Sequence, residues 1–413
     1  MNDTAAPKKT SMLSMDEALS YLLDQARPVT EIEQVETSAA LGRVLAEAQK
    51  STLDVPPLDN SAMDGYVVAC ADLVAGGATR LPVSQRIPAG MVGAPLKPGT
   101  AARIFTGAPI PLGADAVVMQ EDCMAEGDDV IINGKATPGL NIRRAGEDIA
   151  AGAEILAAGT RLRPQEMGLA ASVGFAKLPV FRKLRVAMFF TGDEIVMPGD
   201  PLAPGQIYNS NRFSLTGLLQ ALGCEVTDLG IVPDNLEATV SVLERAANNA
   251  DLVVTSGGVS VGEEDHVKAA VEQLGKLEMW RIAMKPGKPL AFGTVDKAFF
   301  IGLPGNPVSA FVTFCLFVRP FILRCQGVLN VSPKSCTVRA DFTWPKPEKR
   351  REFLRARLAL ADDGATMAAL FPNQGSGVLT STVWADGLVD IPGGMTIERG
   401  GLVKFIPFSE MLY

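Results

Sequence analysis

The residue types best suited to chemistry gather in three glycine-rich stretches. They are Ser256-Gly257-Gly258-Val259-Ser260-Val261-Gly262-Glu263-Glu264-Asp265, Lys285-Pro286-Gly287-Lys288-Pro289 and Gly302-Leu303-Pro304-Gly305-Asn306-Pro307. Each follows a short apolar run, as a loop at the end of a strand does. Small residues let backbone N–H groups approach an oxyanion closely, helix N-termini add a positive dipole end, and Lys285 and Lys288 add mobile charge. Carboxylates repel phosphate, so acids in such a place point to a hard cation such as magnesium. Thr191-Gly192-Asp193-Glu194 follows another apolar run, and Glu194 could share that cation with Asp265. On its own it is equally a turn with exposed acids. Asp234, in Val232-Pro233-Asp234-Asn235, suits either the same cleft or a helix N-cap.

A second polar group lies earlier in the chain. Asn60-Ser61-Ala62-Met63-Asp64-Gly65-Tyr66, Thr106-Gly107-Ala108-Pro109 and Arg143-Arg144-Ala145-Gly146-Glu147-Asp148 could form another wall, with helix capping as the plainer alternative for the first. The single histidine, His266, excludes a His-based triad or a His-rich metal site and reads as a solvated or satisfied side chain. The dinucleotide G-x-G-x-x-G spacing and the G-x-x-x-x-G-K-[ST] loop are both absent.

The elements that must position these groups follow from periodicity. Leu13, Ala18, Leu19, Leu22 and Leu23 predict an amphipathic helix, and a second short one is expected around Ala39 to Ala48. Short β-rich pieces between Pro and Gly turns (Ala101 to Phe105, Ala116 to Met119, Val130 to Ile132) predict a small β domain inserted into this region. Pro164 marks a helix start. From Leu184 strands and helices alternate: strands at Leu184 to Phe190, Glu225 to Val232, Leu252 to Thr255 and Ala298 to Ile301, with helices between them. One helix ends at Gly223 and another starts at Asn306-Pro307. This order implies a mostly parallel sheet with helices on both faces, whose ligands bind beyond the carboxyl ends of the strands. After Pro333 the chain is β-rich again, as in a small barrel or sandwich.

Bulk properties narrow the partners. A chain of 413 residues implies two to four domains. A net charge of −8 argues against nucleic acid, while Arg143-Arg144 and Lys349-Arg350-Arg351 still allow a small anionic ligand. The six cysteines form no Cys-x-x-Cys pair, and the polar start lacks an apolar leader, so a reducing, cytoplasmic setting is expected. Val308 to Val318 is too short to span a membrane and reads as a buried helix.

Taken together, these strings resemble the MoeA family of molybdopterin molybdenumtransferases, relatives of the E domain of gephyrin and of the corresponding plant domain. The likeness rests on Pro56-Pro57-Leu58-Asp59-Asn60-Ser61-Ala62-Met63-Asp64-Gly65-Tyr66, Ile104-Phe105-Thr106-Gly107-Ala108, Arg143-x-x-Gly146-Glu147-Asp148, Thr191-Gly192-Asp193-Glu194 and the three glycine-rich stretches, in order along nearly the whole chain. Leu58 and His266 depart from the aromatic residues many members carry there.

The resemblance implies a multidomain α/β plus β fold. Its parts would be a discontinuous elongated helical dimerisation domain (12–55 and 147–182), an inserted β domain (56–146), a three-layer MogA-like α/β domain (183–330) and a C-terminal β barrel (331–413). It further implies a homodimer whose cleft lies between the α/β domain of one subunit and the inserted domain of the other. The family activity ligates molybdate to the dithiolene of adenylylated molybdopterin, releasing AMP, with magnesium required. On that basis Glu194 and Asp265 would hold Mg2+; Lys285, Lys288, Ser256, Gly257, Gly258, Pro304 and Pro307 would bind substrate; and Asp64, Thr106, Arg143 and Asp148 would close the site, with Asp234 a further member. Other molybdenum cofactor proteins and apo-molybdoenzymes are conceivable partners. The competing expectations are the adenylyltransferase that activates molybdopterin with ATP, a scaffold protein, and insertion of tungsten instead of molybdenum.

Overall fold

The computed structural model describes residues 12–133, 135–258 and 266–412. Its centre is a six-stranded sheet in the order Glu225–Val232, Arg185–Thr191, Leu252–Ser256, Ala298–Leu303, Pro289–Val295, Gly275–Arg281. The first four strands are parallel and the last two antiparallel. Leu252–Ser256 is buried along its whole length, as a strand covered on both faces must be. One face packs against Leu215, Leu218 and Leu219 of helix Ser210–Ala221 and against Val308 to Val318. The other packs against Val242, Leu243 and Ala246 of helix Leu236–Ala247 and Val267, Ala270 and Val271 of helix His266–Leu274. Asn209 and Asn235 cap the first two of these helices by accepting from Arg212 N and Ala238 N.

The parallel strands end at Thr191, Val232, Ser256 and Leu303, so the loops after them open at one sheet edge. The helical run Pro307–Cys325 is apolar enough and, at 19 residues, long enough to cross a membrane, but 89% of it is buried inside the protein. It is the core helix of this unit. Helix Met15–Gln25, started by a Ser14/Glu17 capping box, seals Ala18 and Leu22 into the same core.

The expected helix around Ala39 to Ala48 does not form. The chain makes a single 3-10 turn at Thr37–Ala39, then Gly42 turns with φ +74°, a conformation that ends helices. Val44 and Leu45 instead bridge to Arg161 and Val180. Two short antiparallel ladders surround them, Ile32–Glu36 with Lys177–Phe181 and Gln49–Lys50 with Glu154–Leu156. Ala40 and Leu45 are buried against Leu162, Leu178 and Val180, so apolar spacing that fits a helix here serves a packed loop. Helix Pro164–Ser172 forms with proline at its start.

The segment between these ladders is a six-stranded sheet in the order Ala116–Met119, Gly65–Val68, Ala101–Ile104, Thr79–Ile87, Asp129–Ile132, Cys123–Glu126. At the other end of the chain, strands Arg351–Leu360, Thr366–Leu370, Cys336–Ala340, Leu402–Pro407 and Gly387–Ile391 close into a barrel through pairing of the first with the last. The barrel is docked firmly on the α/β unit. Phe353, Leu388, Ile406 and Phe408 belong to the central core, and the Phe408 ring meets that of Phe311 edge-on at 5.4 Å. Each such aromatic contributes about 2–3 kcal/mol by burial alone. The short strand Met284–Lys285 extends the barrel by pairing in parallel with Arg351 and Glu352, which draws the Lys285 loop to the barrel wall.

Candidate active site

Where the sheet edge meets the barrel lies a cleft of about 570 Å³. The α/β unit supplies Glu194, Gly257, Gly258, the Lys285 to Pro289 loop, Pro304, Gly305, Asn306 and Ser309; the barrel supplies Arg350, Gln374, Gly375 and Ser376. The glycines are there for closeness. Gly257 (φ +97°) would place a Cβ 2.9 Å from Thr191 O, and Gly287 (φ +99°) one 2.3 Å from Thr313 Oγ1. Neither position accepts a side chain without displacing its neighbour.

Charge in the cleft is unevenly compensated. Lys285 Nζ lies 3.1 Å from Glu352 Oε1 and 3.9 Å from Glu348 Oε1. The first approach is close enough for charge pairing but is not aligned as a hydrogen bond. Glu352 is only 1% exposed and also accepts from Trp344 Nε1 at 2.6 Å. Lys288 is exposed, and no carboxylate pairs with it or with Arg350 among the described residues. These two cations are the ones available to an anion. Glu194 is exposed at the same cleft, also without an ion-pair partner among the described residues.

The structure brings together Glu194, Gly257, Gly258, Lys285, Lys288 and Pro304 of the residues expected at the site. Asp265, the second expected metal ligand, lies outside the described residues, and among those described no group of three His, Cys, Asp or Glu side chains could hold a metal. A lone unpaired carboxylate beside an anion cleft still suits magnesium, which needs only one or two carboxylates when phosphate and water complete its shell. Ser256 sits beneath the cleft. Its hydroxyl donates to Pro304 O at 2.9 Å and accepts from Asn211 Nδ2 at 2.8 Å, while the same amide donates to Gly305 O at 2.7 Å. Ser256 thus ties two cleft loops together from below. Asp234 accepts from Thr191 Oγ1 at 3.0 Å and braces the loops of two strands, while the helix cap beside it is Asn235. Pro307 occupies the first turn of its helix, and the next N–H, that of Val308, donates to Ser376 O at 3.0 Å. The helix start thereby holds the barrel loop in place.

The second polar wall is ordered but stands apart from this cleft. Asp64 Oδ1 accepts from Thr106 N at 2.8 Å and Thr106 Oγ1 at 2.7 Å, and these donors hold the carboxyl below its usual range. Arg143 pairs through its backbone with Asn60, and Asp148 N donates to Val55 O at 3.0 Å; both side chains are exposed. None of these four residues lines the cleft of its own chain.

The barrel wall went unread in the sequence. Lys349-Arg350-Arg351 was visible as a basic cluster, but Arg351 pairs with Asp390 and only Arg350 turns to the cleft. Gln374, Gly375 and Ser376 carry only a turn signal, and nothing in their neighbours ties them to a loop more than a hundred residues away.

A three-layer α/β unit whose strand-end loops make a cationic cleft, walled by a β barrel and preceded by an inserted β domain, is the architecture of a multidomain α/β enzyme. Comparison with known proteins gives the family. Residues 13–174 match the MoeA N-terminal region (domain I and II), 187–324 a probable molybdopterin binding domain, and 337–408 the MoeA C-terminal region (domain IV). The molybdopterin molybdenumtransferase of Haemophilus influenzae is 40% identical over 405 residues, 97% of this chain and 100% of its own. Molybdopterin molybdenumtransferase 2 of Mycobacterium tuberculosis is 39% identical over 388 residues, 91% of this chain and 93% of its own. The crystal structure of the molybdopterin biosynthesis MoeA protein from Pyrococcus horikoshii OT3 matches with a TM-score of 0.82 at 30% identity, covering 96% of this chain and 100% of that one. The chain belongs to the MoeA family of molybdopterin molybdenumtransferases.

Proposed function

We propose that this chain inserts molybdenum from molybdate into adenylylated molybdopterin with release of AMP. The observation that carries this is the cleft itself: two cations that have no acid partner among the described residues, Lys288 and Arg350, face glycine loops at the carboxyl ends of the sheet. Molybdate is a compact dianion and suits such a pair. Gly257 and Gly258 leave room for a phosphate to approach the main chain, and Lys285, already half-compensated by Glu352 and Glu348, fixes the position of its loop as much as it attracts the ligand. Glu194 together with Asp265 would hold magnesium, which neutralises charge developing on the pyrophosphate linkage.

The cleft of one subunit would be completed by Asp64, Thr106, Arg143 and Asp148 of the second copy in a homodimer. What supports this is that the Asp64 and Thr106 pair is fixed in geometry yet faces no cleft residue of its own chain. Arg143 would then steer the anionic substrate, and the two acids would orient protons or water around it.

The test is anaerobic AMP release from adenylylated molybdopterin with magnesium, with and without micromolar molybdate, for wild type and Glu194→Ala. Molybdate-dependent release in wild type, reduced at least about a hundredfold in the variant, is expected. ATP-dependent adenylylation of free molybdopterin without such release would instead assign the chain to the activating step. Repeating the assay with tungstate reports which oxyanion is preferred.

A further inference from the structure

The inserted domain holds an arginine that ties two of its loops together. In its sheet, strand Gly65–Val68 lies between Ala116–Met119 and Ala101–Ile104, and Tyr66 stands opposite Arg103. Ala102 and Ile104 enter one core with Val67 and Val117, so Arg103, between them, points to the other face. Strand Thr79–Ile87 runs parallel on its far side and sets Arg86 opposite Arg103. Like charges directly opposed across strands are unfavourable, and no carboxylate pairs with either arginine among the described residues. Aromatic faces offset part of this. The Arg86 and Arg103 guanidinium carbons lie 4.4 and 4.5 Å from the Phe105 ring centroid, and that of Arg103 lies 5.3 Å from the centroid of Tyr66.

The guanidinium bonds reach both strand ends. Arg103 Nη1 donates to Gly65 O at 2.7 Å and to Ile104 O at 3.3 Å, and Nη2 donates to Gln120 Oε1 at 2.6 Å. Gln120 N in turn donates to Asp64 O at 3.1 Å. Gly65 is the residue after Asp64, and Ile104 lies two before Thr106, so one planar fork spans the strands that carry the Asp64 and Thr106 loops. Between those loops, Asp64 Oδ1 takes both Thr106 donors, and among the described residues nothing donates to Oδ2. The Thr106 bonds first, and the Arg103 charge after them, keep this carboxyl below its usual range. One oxygen is anchored while the other is left open.

We infer that Arg103 is a positioning residue for the reaction: by holding Gly65 O, Ile104 O and Gln120 Oε1 on one guanidinium it fixes the separation of the Asp64 and Thr106 loops, and with it the direction in which Asp64 Oδ2 faces substrate. The assignment rests on the proposal that the Asp64 wall completes the cleft of a second copy. Arg103 itself touches no ligand.

The experiment measures molybdate-dependent AMP release by the full-length protein, with molybdate Kd by calorimetry and thermal unfolding beside it. The proteins are wild type, Arg103→Met, Arg103→Lys, Arg86→Met, Asp64→Asn and the double variant Asp64→Asn with Arg103→Met. A misplacement of about 1 Å can cost about a hundredfold, so Arg103→Met is expected to lower kcat about thirtyfold, with KM and molybdate Kd within about twofold of wild type. Lysine keeps the charge but reaches fewer of the three acceptors, so Arg103→Lys should lose about threefold. A residue that acts through Asp64 has little more to lose once Asp64 is gone, so adding Arg103→Met to Asp64→Asn should cost less than about twofold. Arg86→Met leaves both strand ends tied and should turn over within about twofold of wild type. A wild-type kcat for Arg103→Met overturns the inference. So does an undiminished further loss in the Asp64→Asn background, or an equal loss from Arg86→Met, which would make the two arginines a charged surface and not a brace. If Arg103→Met does not fold, a wild-type kcat for Arg103→Lys overturns it equally. Wild-type turnover by Asp64→Asn would remove the reading of the second wall itself, an outcome distinct from an insensitive Arg103 variant.

Discussion

The two polar walls are built on different plans. In the cleft between sheet edge and barrel, residues as far apart as Glu194 and Ser376 face one space, because parallel strands deliver their loops to one edge and an apolar seam holds the barrel against it. In the inserted domain and at its exit, Asp64, Thr106, Arg143 and Asp148 are held by local bonds and short ladders, and none of them lines that cleft. The first wall draws its described residues from two units of one chain. The second is ordered in itself, and none of its four residues lines the first. On the proposed function, that difference separates binding from completion: the cleft would capture an oxyanion by itself, and the inserted domain would contribute from another copy.

The sharpest way to break this contrast is Asp64→Asn. Asparagine keeps an acceptor for both Thr106 donors, so the loop is retained while the charge is lost. Turnover should fall about a hundredfold or more, with molybdate Kd within about twofold of wild type. A variant that turns over normally would remove the inserted domain from the reaction, and one that loses molybdate binding would place it in the capture step. Mixing Asp64→Asn with the inactive cleft variant, Glu194→Ala, tests whether the walls meet between copies. After subunit exchange about half of the dimers are mixed and each has one intact site of two, so about a quarter of wild-type turnover should return. No recovery above the two separate variants would mean that the walls meet within one chain.

What the chain discloses about itself follows the same division. The parallel strands are legible because a strand buried on both faces reads as a continuous apolar run, as at Leu252–Ser256, and strand-end glycines mark where ligands bind. The antiparallel pair Gly275–Arg281 and Pro289–Val295 is not legible, since the first mixes Lys276, Glu278 and Arg281 with apolar residues and the second follows a proline-rich loop. The helix expected around Ala39 to Ala48 fails because Gly42 and pairing with distant strands outweigh a weak local period. Within the site, residue type identifies Glu194 and Lys288, but it cannot separate a side chain that faces ligand from one that braces the loops. Ser256 and Asp234 look like ligand groups in sequence, and in the structure each also makes a hydrogen bond that braces the loops at the sheet edge. Arg350 and Arg351 are adjacent basic residues, and only the barrel's closure and docking show that the first lines the cleft while the second pairs with Asp390.

Lys285 and Lys288 give the smallest and most discriminating test, because they are alike in sequence and differ in structure. Lys285 is shared with Glu348 and with Glu352, a carboxylate whose own exposure is 1%. Lys288 has no acid on it among the described residues. An anion should therefore lean more on Lys288, and Lys288→Ala should weaken molybdate binding about fivefold without changing Tm. Lys285→Ala should weaken it about twofold, since part of that charge is already cancelled. It should also destabilise the protein by about 1–3 kcal/mol, because it strands the Glu352 carboxylate in a buried position. Adding Glu352→Gln to Lys285→Ala removes the stranded charge while keeping an acceptor for Trp344 Nε1, so the double variant should recover most of the lost stability. Calorimetry and thermal unfolding on the four proteins separate the terms. A larger loss of affinity for Lys285→Ala than for Lys288→Ala would show that the Glu352 pairing yields to the ligand, making the barrel acid a competitor for the lysine and the capture wall adjustable where its pairing now marks it as fixed.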